Sequence, residues 1–382
     1  MYTDKPPYEE LEETMCTNCL PDLERDPTAV DAASEAFAQR LLETFNGAAI
    51  TLMMSVGHRT GLFDTLAELK DATSEELAEA AGLNERYVRE WLGAMTTGRI
   101  VEYHGDTRRY ALPYAHAAWL TRASASDNLA VFAQYIPVLG SVEDDIVTCF
   151  RQGGGVPYER YPRFHAVMEE DSGQSILSTV DTHLLPLAPG LDEQLREGIE
   201  VLDVGCGRGR VVNKLARLFP NSRFVGYDLS EEAIAYARAT AEREGNRNAH
   251  FEVRDLTSFA QDALPEAFDF VTAFDAIHDQ ANPAGVLAGI ARTLKPGGIY
   301  LMQDIRGSSD VAKNRDHLLG PLLYTISCLH CMTVSLAQGG AGLGAMWGEE
   351  KAVEMLREAG LTQVEIHRLD HDIQNNYYVV RH

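Results

Sequence analysis

Apolar residues recur at every third or fourth position from Asp31 onward, and "AFAQRLLETFNGAAITLMMSVGHRTGLFDTLAEL" carries that period over 36–69. The stripe predicts helix too apolar to stand alone in water, so a partner surface is expected against it. In the next stretch Thr73 or Ser74 can cap a helix, with Glu76 three residues after Thr73 as in a capping box; Gly82 closes that helix, and Asn84 caps a second one through Trp91 and Met95. Two short runs, "RIVEYH" and "RRYALP", flank a "GDT" turn and predict a hairpin. Helix, turn, helix and hairpin make a winged-helix pattern. Residues 115–195 keep a helical period, interrupted by "RQGGGVPYERYP".

From Val201 the period changes. "EVLDVG", "RFVGYD", "HFEVRDL", "FDFVTAFDAIHD" and "GIYLMQDI" read as five strands alternating with helices, the signature of a parallel α/β sheet. "VEIHRLD" and "YYVVRH" predict a closing hairpin at the sheet edge. No internal repeat is evident.

Composition narrows the function. The 382 residues suggest two or three domains at ~150 residues each. No stretch reaches the ~18 uncharged apolar residues of a membrane span. The acidic opening "MYTDKPPYEELEE" lacks the apolar core of a secretory signal, so a cytoplasmic protein is expected. A formal net charge of −24 opposes nucleic acid and acidic membranes. The second winged-helix segment, "NERYVREWLGAM", sets Arg86 and Arg89 against Glu85 and Glu90, which leaves no basic face for phosphates. Cys16–Cys19 and Cys328–Cys331 each have C-x-x-C spacing, but over 300 residues separate the pairs, so reduced thiols are expected rather than shared zinc.

Candidate chemistry begins at "VLDVGCGRG", a buried strand running into a glycine turn and then a helix. Gly205, Gly207 and Gly209 let the turn bend and let a ligand touch the backbone, while the helix start offers free N–H groups. Asp228 ends the next strand, where a carboxylate accepts hydrogen bonds from both ribose hydroxyls. The order G-x-G-x-G after Asp203 differs from the G-x-G-x-x-G of dinucleotide sites, whose turn approaches a pyrophosphate.

These motifs, in order, make residues 195–382 resemble a class I S-adenosylmethionine-dependent methyltransferase. Asp203, Gly205, Cys206, Gly207 and Gly209 match its glycine-rich loop, and Asp228 with Leu229 its ribose acid. Asp255 and Leu256 fall where that family contacts adenine, Phe274 and Asp275 beside the cofactor's reactive end, and "LKPGG" before the fifth strand. With the winged helix, residues 35–382 look like the small-molecule O-methyltransferases of plants and bacteria, which dimerise through that domain.

The resemblance implies an α/β fold: a Rossmann-like, seven-stranded methyltransferase sheet behind a winged-helix domain and a helical connector. The expected parts are a disordered acidic tail at 1–28, a winged-helix dimerisation domain at 29–122, a connector covering the active site at 123–194, and the methyltransferase domain at 195–382 with a helical lid at about 306–348. It also implies S-adenosyl-L-methionine as cofactor, a small-molecule acceptor and a homodimer; no metal is expected, Asp275 and Asp304 being the carboxylates a magnesium-dependent alternative would offer.

In that family a His-Asp pair after the fourth strand carries the base, and His278-Asp279 occupies its place, followed by Gln280 where a tryptophan is usual. His278 is therefore the expected base if the acceptor is a hydroxyl; capping or cofactor contact is the alternative. His165 is a second catalytic candidate, His317 and His330 lesser ones, and Tyr161 and Phe164 offer stacking for a flat acceptor. Met332, Met346 and Trp347 are expected to line an apolar acceptor pocket, with "GGAGLG" as a lid hinge. A winged-helix regulator sensing the cofactor, or a silent scaffold, are the rival functions.

Overall fold

The computed structural model describes residues 27–123 and 128–382. Nearly all of the expected acidic tail, with Cys16 and Cys19, lies outside the described residues. The chain divides into a unit ending at Thr51 and a second running from Leu52 to His382. Helix α1 (Pro27–Thr60) begins in the first, where it leaves Phe37, Leu41, Leu42 and Phe45 exposed.

The second unit begins with the winged helix: α2 (Leu62–Leu69), β1 (Asp71–Ala72), α3 (Ser74–Ala81), α4 (Glu85–Thr97), β2 (Glu102–His104), β3 (Arg109–Ala111) and α5 (Tyr114–Leu120). The expected caps form. The Thr73 hydroxyl accepts from Glu76 N, the Glu76 carboxylate accepts from Thr73 N, and Asn84 accepts from Arg86 N. Helix α4 buries Val88, Trp91, Leu92 and Met95, the i, i+3, i+4, i+7 face its sequence predicts, and Trp91 packs edge-on to Phe63 at 5.1 Å. Strands β1, β3 and β2 form a small antiparallel sheet.

The connector holds α6 (Tyr135–Gly140), α7 (Glu143–Gln152), α8 (Phe164–Ser172), two π-helical turns at 173–177 and 180–184, and α9 (Leu191–Glu197).

The catalytic-type domain is a seven-stranded sheet in the order β6-β5-β4-β7-β8-β10-β9. Its strands are β4 (Glu200–Val204), β5 (Arg223–Asp228), β6 (Ala249–Val253), β7 (Phe268–Phe274), β8 (Leu294–Ile305), β9 (Gln363–His367) and β10 (Asn375–Arg381). The first five run parallel, and β10 lies antiparallel between β8 and β9. β9 and β10 form the expected closing hairpin at the sheet edge, with β9 outermost. "LKPGG" departs from expectation: it lies inside β8 as a register shift, with Phe268 opposite Leu294 but Phe270 opposite Ile299.

Helices cover both faces of the sheet. α10 (Arg210–Leu218) and α11 (Glu231–Glu244) join α9 over one apolar layer. α12 (Phe259–Asp262), α13 (Pro283–Thr293) and α16 (Gly348–Glu358) cover the other. The expected lid comprises α14 (Gly320–Ile326), a π turn at 327–331 and α15 (Met332–Ala337). Together these make an 18-residue run, 320–337, long and apolar enough to cross a membrane, which the sequence reading had not expected. Its inner side is buried, and Val334 joins Tyr161, Phe164 and Val167 of the connector in one cluster.

Candidate active site

Parallel β4 and β7 are neighbours, so the turns leaving their carboxyl ends lie side by side. Gly205 adopts φ 72°, and a Cβ there would stand 2.4 Å from that of Ala276 on the adjacent turn. Gly209, at φ 66° and the head of α10, would drive a Cβ to 2.4 Å from the Phe251 ring. Gly207 differs. It has φ 52°, yet a Cβ there would meet nothing within 4 Å, so its bare backbone faces open space rather than packed protein. Asp228 flanks this opening: its Oδ2 accepts from Gly207 N at 2.8 Å and its Oδ1 from Ser230 N at 2.8 Å. An exposed backbone turn, a helix start and a poised carboxylate fit a ligand with a ribose and an amino-acid tail.

The other expected cofactor residues sort around that turn. Asp203 is buried and accepts from the Thr272 hydroxyl at 2.7 Å; burial, aided by the charge of Asp228, pushes its carboxyl up to about 7. Cys206 packs toward Gly226 and its thiol is raised well above the ordinary range by burial, so it is a packing group rather than a nucleophile. Leu229 and Asp255 are exposed, Asp255 accepting from Thr257 N at 2.8 Å, while Leu256 enters the core. Arg208 pairs with Glu169 of α8 at 2.7 Å and with Glu232 of α11 at 2.6 Å, fastening the connector to the glycine turn.

Phe274 and Asp275 end β7, half-buried. Asp275 holds φ 48°, a left-handed conformation that costs a non-glycine residue about 1–2 kcal/mol. Its Oδ2 accepts from Gln303 Nε2 at 2.9 Å and its Oδ1 has no partner among the described residues. Burial and then the nearby Asp304 raise its carboxyl to about 8. Donor atoms of Asp275, His278 and Asp304 lie within 4.8 Å of one another, but hydrogen bonds already engage the His278 Nδ1 and one Asp304 oxygen.

His278 is 3% exposed and its Nδ1 sits 2.8 Å from Asp304 Oδ1, which also accepts from Trp347 Nε1 at 3.0 Å and Ile305 N at 2.8 Å. The imidazole therefore pairs with Asp304, not with its sequence neighbour Asp279. Burial disfavours the charged ring, but Asp304, and then Cys331, outweigh it and hold the pKa well above the ordinary value. That direction favours the protonated ring, while Asp304 fixes the ring's orientation through Nδ1.

Asp279 instead accepts from the Tyr158 hydroxyl, and burial raises its carboxyl to about 6. His165 is half-buried and stacks 6.1 Å from Tyr158. Tyr161 and Phe164 flank His330, which is 1% exposed. Of the residues expected to line an acceptor pocket, Met346 packs with Ile305, Leu323 and Cys331, and Trp347 enters the sheet core while orienting Asp304. Sequence reasoning missed the roles of Asp304 and Tyr158. A charged residue inside the apolar strand "GIYLMQDI" was the available signal for the first; nothing local marks the second.

Two family matches span most of the chain. Residues 48–122 match the Rv2258c-like winged HTH domain, and residues 195–360 match a methyltransferase domain. A ubiquinone biosynthesis O-methyltransferase of Dinoroseobacter shibae is 35% identical over 105 residues, 28% of this chain and 40% of that relative, so the chain spans less than half of its length. Among solved structures, the mitomycin 7-O-methyltransferase superposes with TM-score 0.67 at 18% identity, covering 93% of this chain and 100% of that one. Human N-acetylserotonin methyltransferase in complex with SAM superposes with TM-score 0.63 at 20% identity, covering 90% and 97%. At these identities the structures establish the fold.

Proposed function

The chain belongs to the class I S-adenosylmethionine-dependent methyltransferases that carry an N-terminal winged-helix domain, and from that premise we propose that it methylates a hydroxyl oxygen of a small molecule. The observation carrying this reading is the open-faced Gly207 beside Asp228, at the same end of the sheet as the half-buried Asp275 and the buried His278 and Asp304. The Gly205–Gly209 turn, Asp228, Asp255 and Leu256 would hold the cofactor, which when bound supplies an electrophilic methyl on a sulfonium. The segment 306–348 and the connector, packed together through Val334, Tyr161 and Phe164, exclude water from the acceptor. Positioning of the acceptor oxygen then supplies much of the acceleration. The O-methyltransferase relative supports oxygen as the acceptor atom. We further assign a homodimer built on the exposed apolar face of α1 in the cytoplasm, and no metal requirement.

Calorimetric titration with S-adenosylhomocysteine, comparing wild type with Gly207→Ala, tests the cofactor site. The variant should keep its fold, losing about 1–2 kcal/mol for a left-handed alanine, yet bind at least about tenfold more weakly because the methyl enters the ligand's space. Equal affinity in the two proteins would remove the glycine turn from the site.

A further inference from the structure

A hydroxyl acceptor must lose its proton somewhere, and His278 is poorly suited to receive it. Its Nδ1 is claimed by Asp304, the Cys331 thiol hydrogen-bonds the same ring, and that pairing favours the imidazolium. The next imidazole in the cluster is different in every respect. His330 sits on the π turn between α14 and α15, 1% exposed, and neither Nδ1 nor Nε2 has a partner among the described residues. Buried polar atoms without partners are rare, and two on one ring call for a ligand.

The surroundings say which kind. Phe164 stacks on the His330 ring at 3.5 Å and 12°, while Tyr158 and Tyr161 meet it edge-on at 5.2 and 4.8 Å. The hydroxyls of those tyrosines are already spent, Tyr158 donating to Asp279 and Tyr161 to Leu329 O at 2.6 Å. The free polar atoms of this aromatic box are therefore those of His330. Contiguity ties the box to the cofactor turn: Gly205 abuts Ala276, His278 follows two residues later, and Cys331, which bonds His278, is the neighbour of His330. Burial, then the charges of His278 and His165, hold His330 well below the ordinary histidine pKa, so its ring is neutral.

Resting on the proposed O-methyl transfer, we propose that His330 is the catalytic residue that binds the hydroxyl of a flat aromatic acceptor and takes its proton. The acceptor oxygen forms its bond to the methyl carbon as the carbon–sulfur bond breaks. Sulfur keeps that electron pair, and the hydroxyl proton passes to the vacant nitrogen of His330 and later to water. Positive charge moves from sulfur to imidazole, so the net charge of the site is unchanged during the step. A weak base suffices, because an oxygen that has begun to bond a methyl group is far more acidic than a free phenol. His278 and Asp304 then act as positioning residues behind it.

The test uses full-length protein with labelled histidine, loaded with S-adenosylhomocysteine and titrated with 4-nitrophenol. Ring-nitrogen signals absent from His330→Phe identify His330. They should report a neutral ring from mildly acidic to mildly basic pH and shift when 4-nitrophenol binds, with at least about tenfold weaker binding in His330→Phe. In turnover with phenols, wild-type kcat/KM should fall only well below pH 6.5. His330→Phe should remove that limb and lower kcat by about a hundredfold or more. A phenol that leaves the His330 signals unmoved, or that fails to bind, overturns the assignment. So does an activity limb above pH 6.5 that survives in His330→Phe and vanishes in His278→Gln. Failure of S-adenosylhomocysteine itself to bind would instead sink the methyl-transfer reading, and this inference with it.

Discussion

Single residues here carry charge states that depend on burial more than on sequence neighbours. Asp203 shows it best: a carboxyl held at about 7 in the folded protein, against an ordinary value of 3.8, is neutral where the unfolded chain is ionised. Its contribution to stability is full below about pH 4 and is lost as pH rises through about 7. Asp279 at about 6 and Asp275 at about 8 work in the same direction. Urea unfolding at pH 5 and pH 8 should therefore show wild type losing stability, and Asp203→Asn losing about 2–3 kcal/mol less over that interval. An identical pH slope in the variant would show Asp203 ionised in the native state. At this scale the sequence was half legible. The glycines and Asp228 stand in a spaced motif whose chemistry can be read directly. Asp304, Tyr158 and the isolation of His330 arise from contacts between segments far apart in the chain, which no local spacing encodes.

Elements were more legible than sites, because period and caps are local. Thr73, Glu76, Gly82 and Asn84 bracket α3 and α4 where the sequence placed them. Thr73→Ala removes a hydroxyl that accepts from Glu76 N and should cost about 1 kcal/mol in unfolding experiments while leaving cofactor affinity unchanged. A loss of affinity would mean the winged helix bears on the cofactor site. Errors arose where pairing overrides pattern. "LKPGG" has the composition of a turn, yet the ladder of β7 and β8 closes around it as a shift of register. The expected closing hairpin does form, and Tyr377, Tyr378, Val379 and Val380 are buried because β10 is its inner strand, between β8 and β9. That unbroken apolar run is the signature of a strand covered on both faces.

The whole molecule joins a helix-turn-helix shape to a surface that lacks its usual electrostatics. Arg86 pairs with Glu90 and Arg89 with Glu85 along α4, and the net charge of −24 adds a repulsive field toward phosphates. The winged helix is thus better suited to scaffolding the connector. Arg122, just beyond α5, donates to Asp64 at 2.9 Å and to His58 O at 2.9 Å, while His58 contacts Glu170 of α8 at 2.8 Å. Those bonds link the winged helix to α8, whose Glu169 pairs with Arg208 of the glycine turn.

The most direct measurement of the central claim is S-adenosylhomocysteine formation from S-adenosylmethionine across phenols, carboxylates, amines and thiols. The account predicts turnover with at least one phenol, lowered by at least about tenfold at subsaturating cofactor in Gly207→Ala. Cofactor binding with product from amines or thiols but from no hydroxyl compound would contradict it.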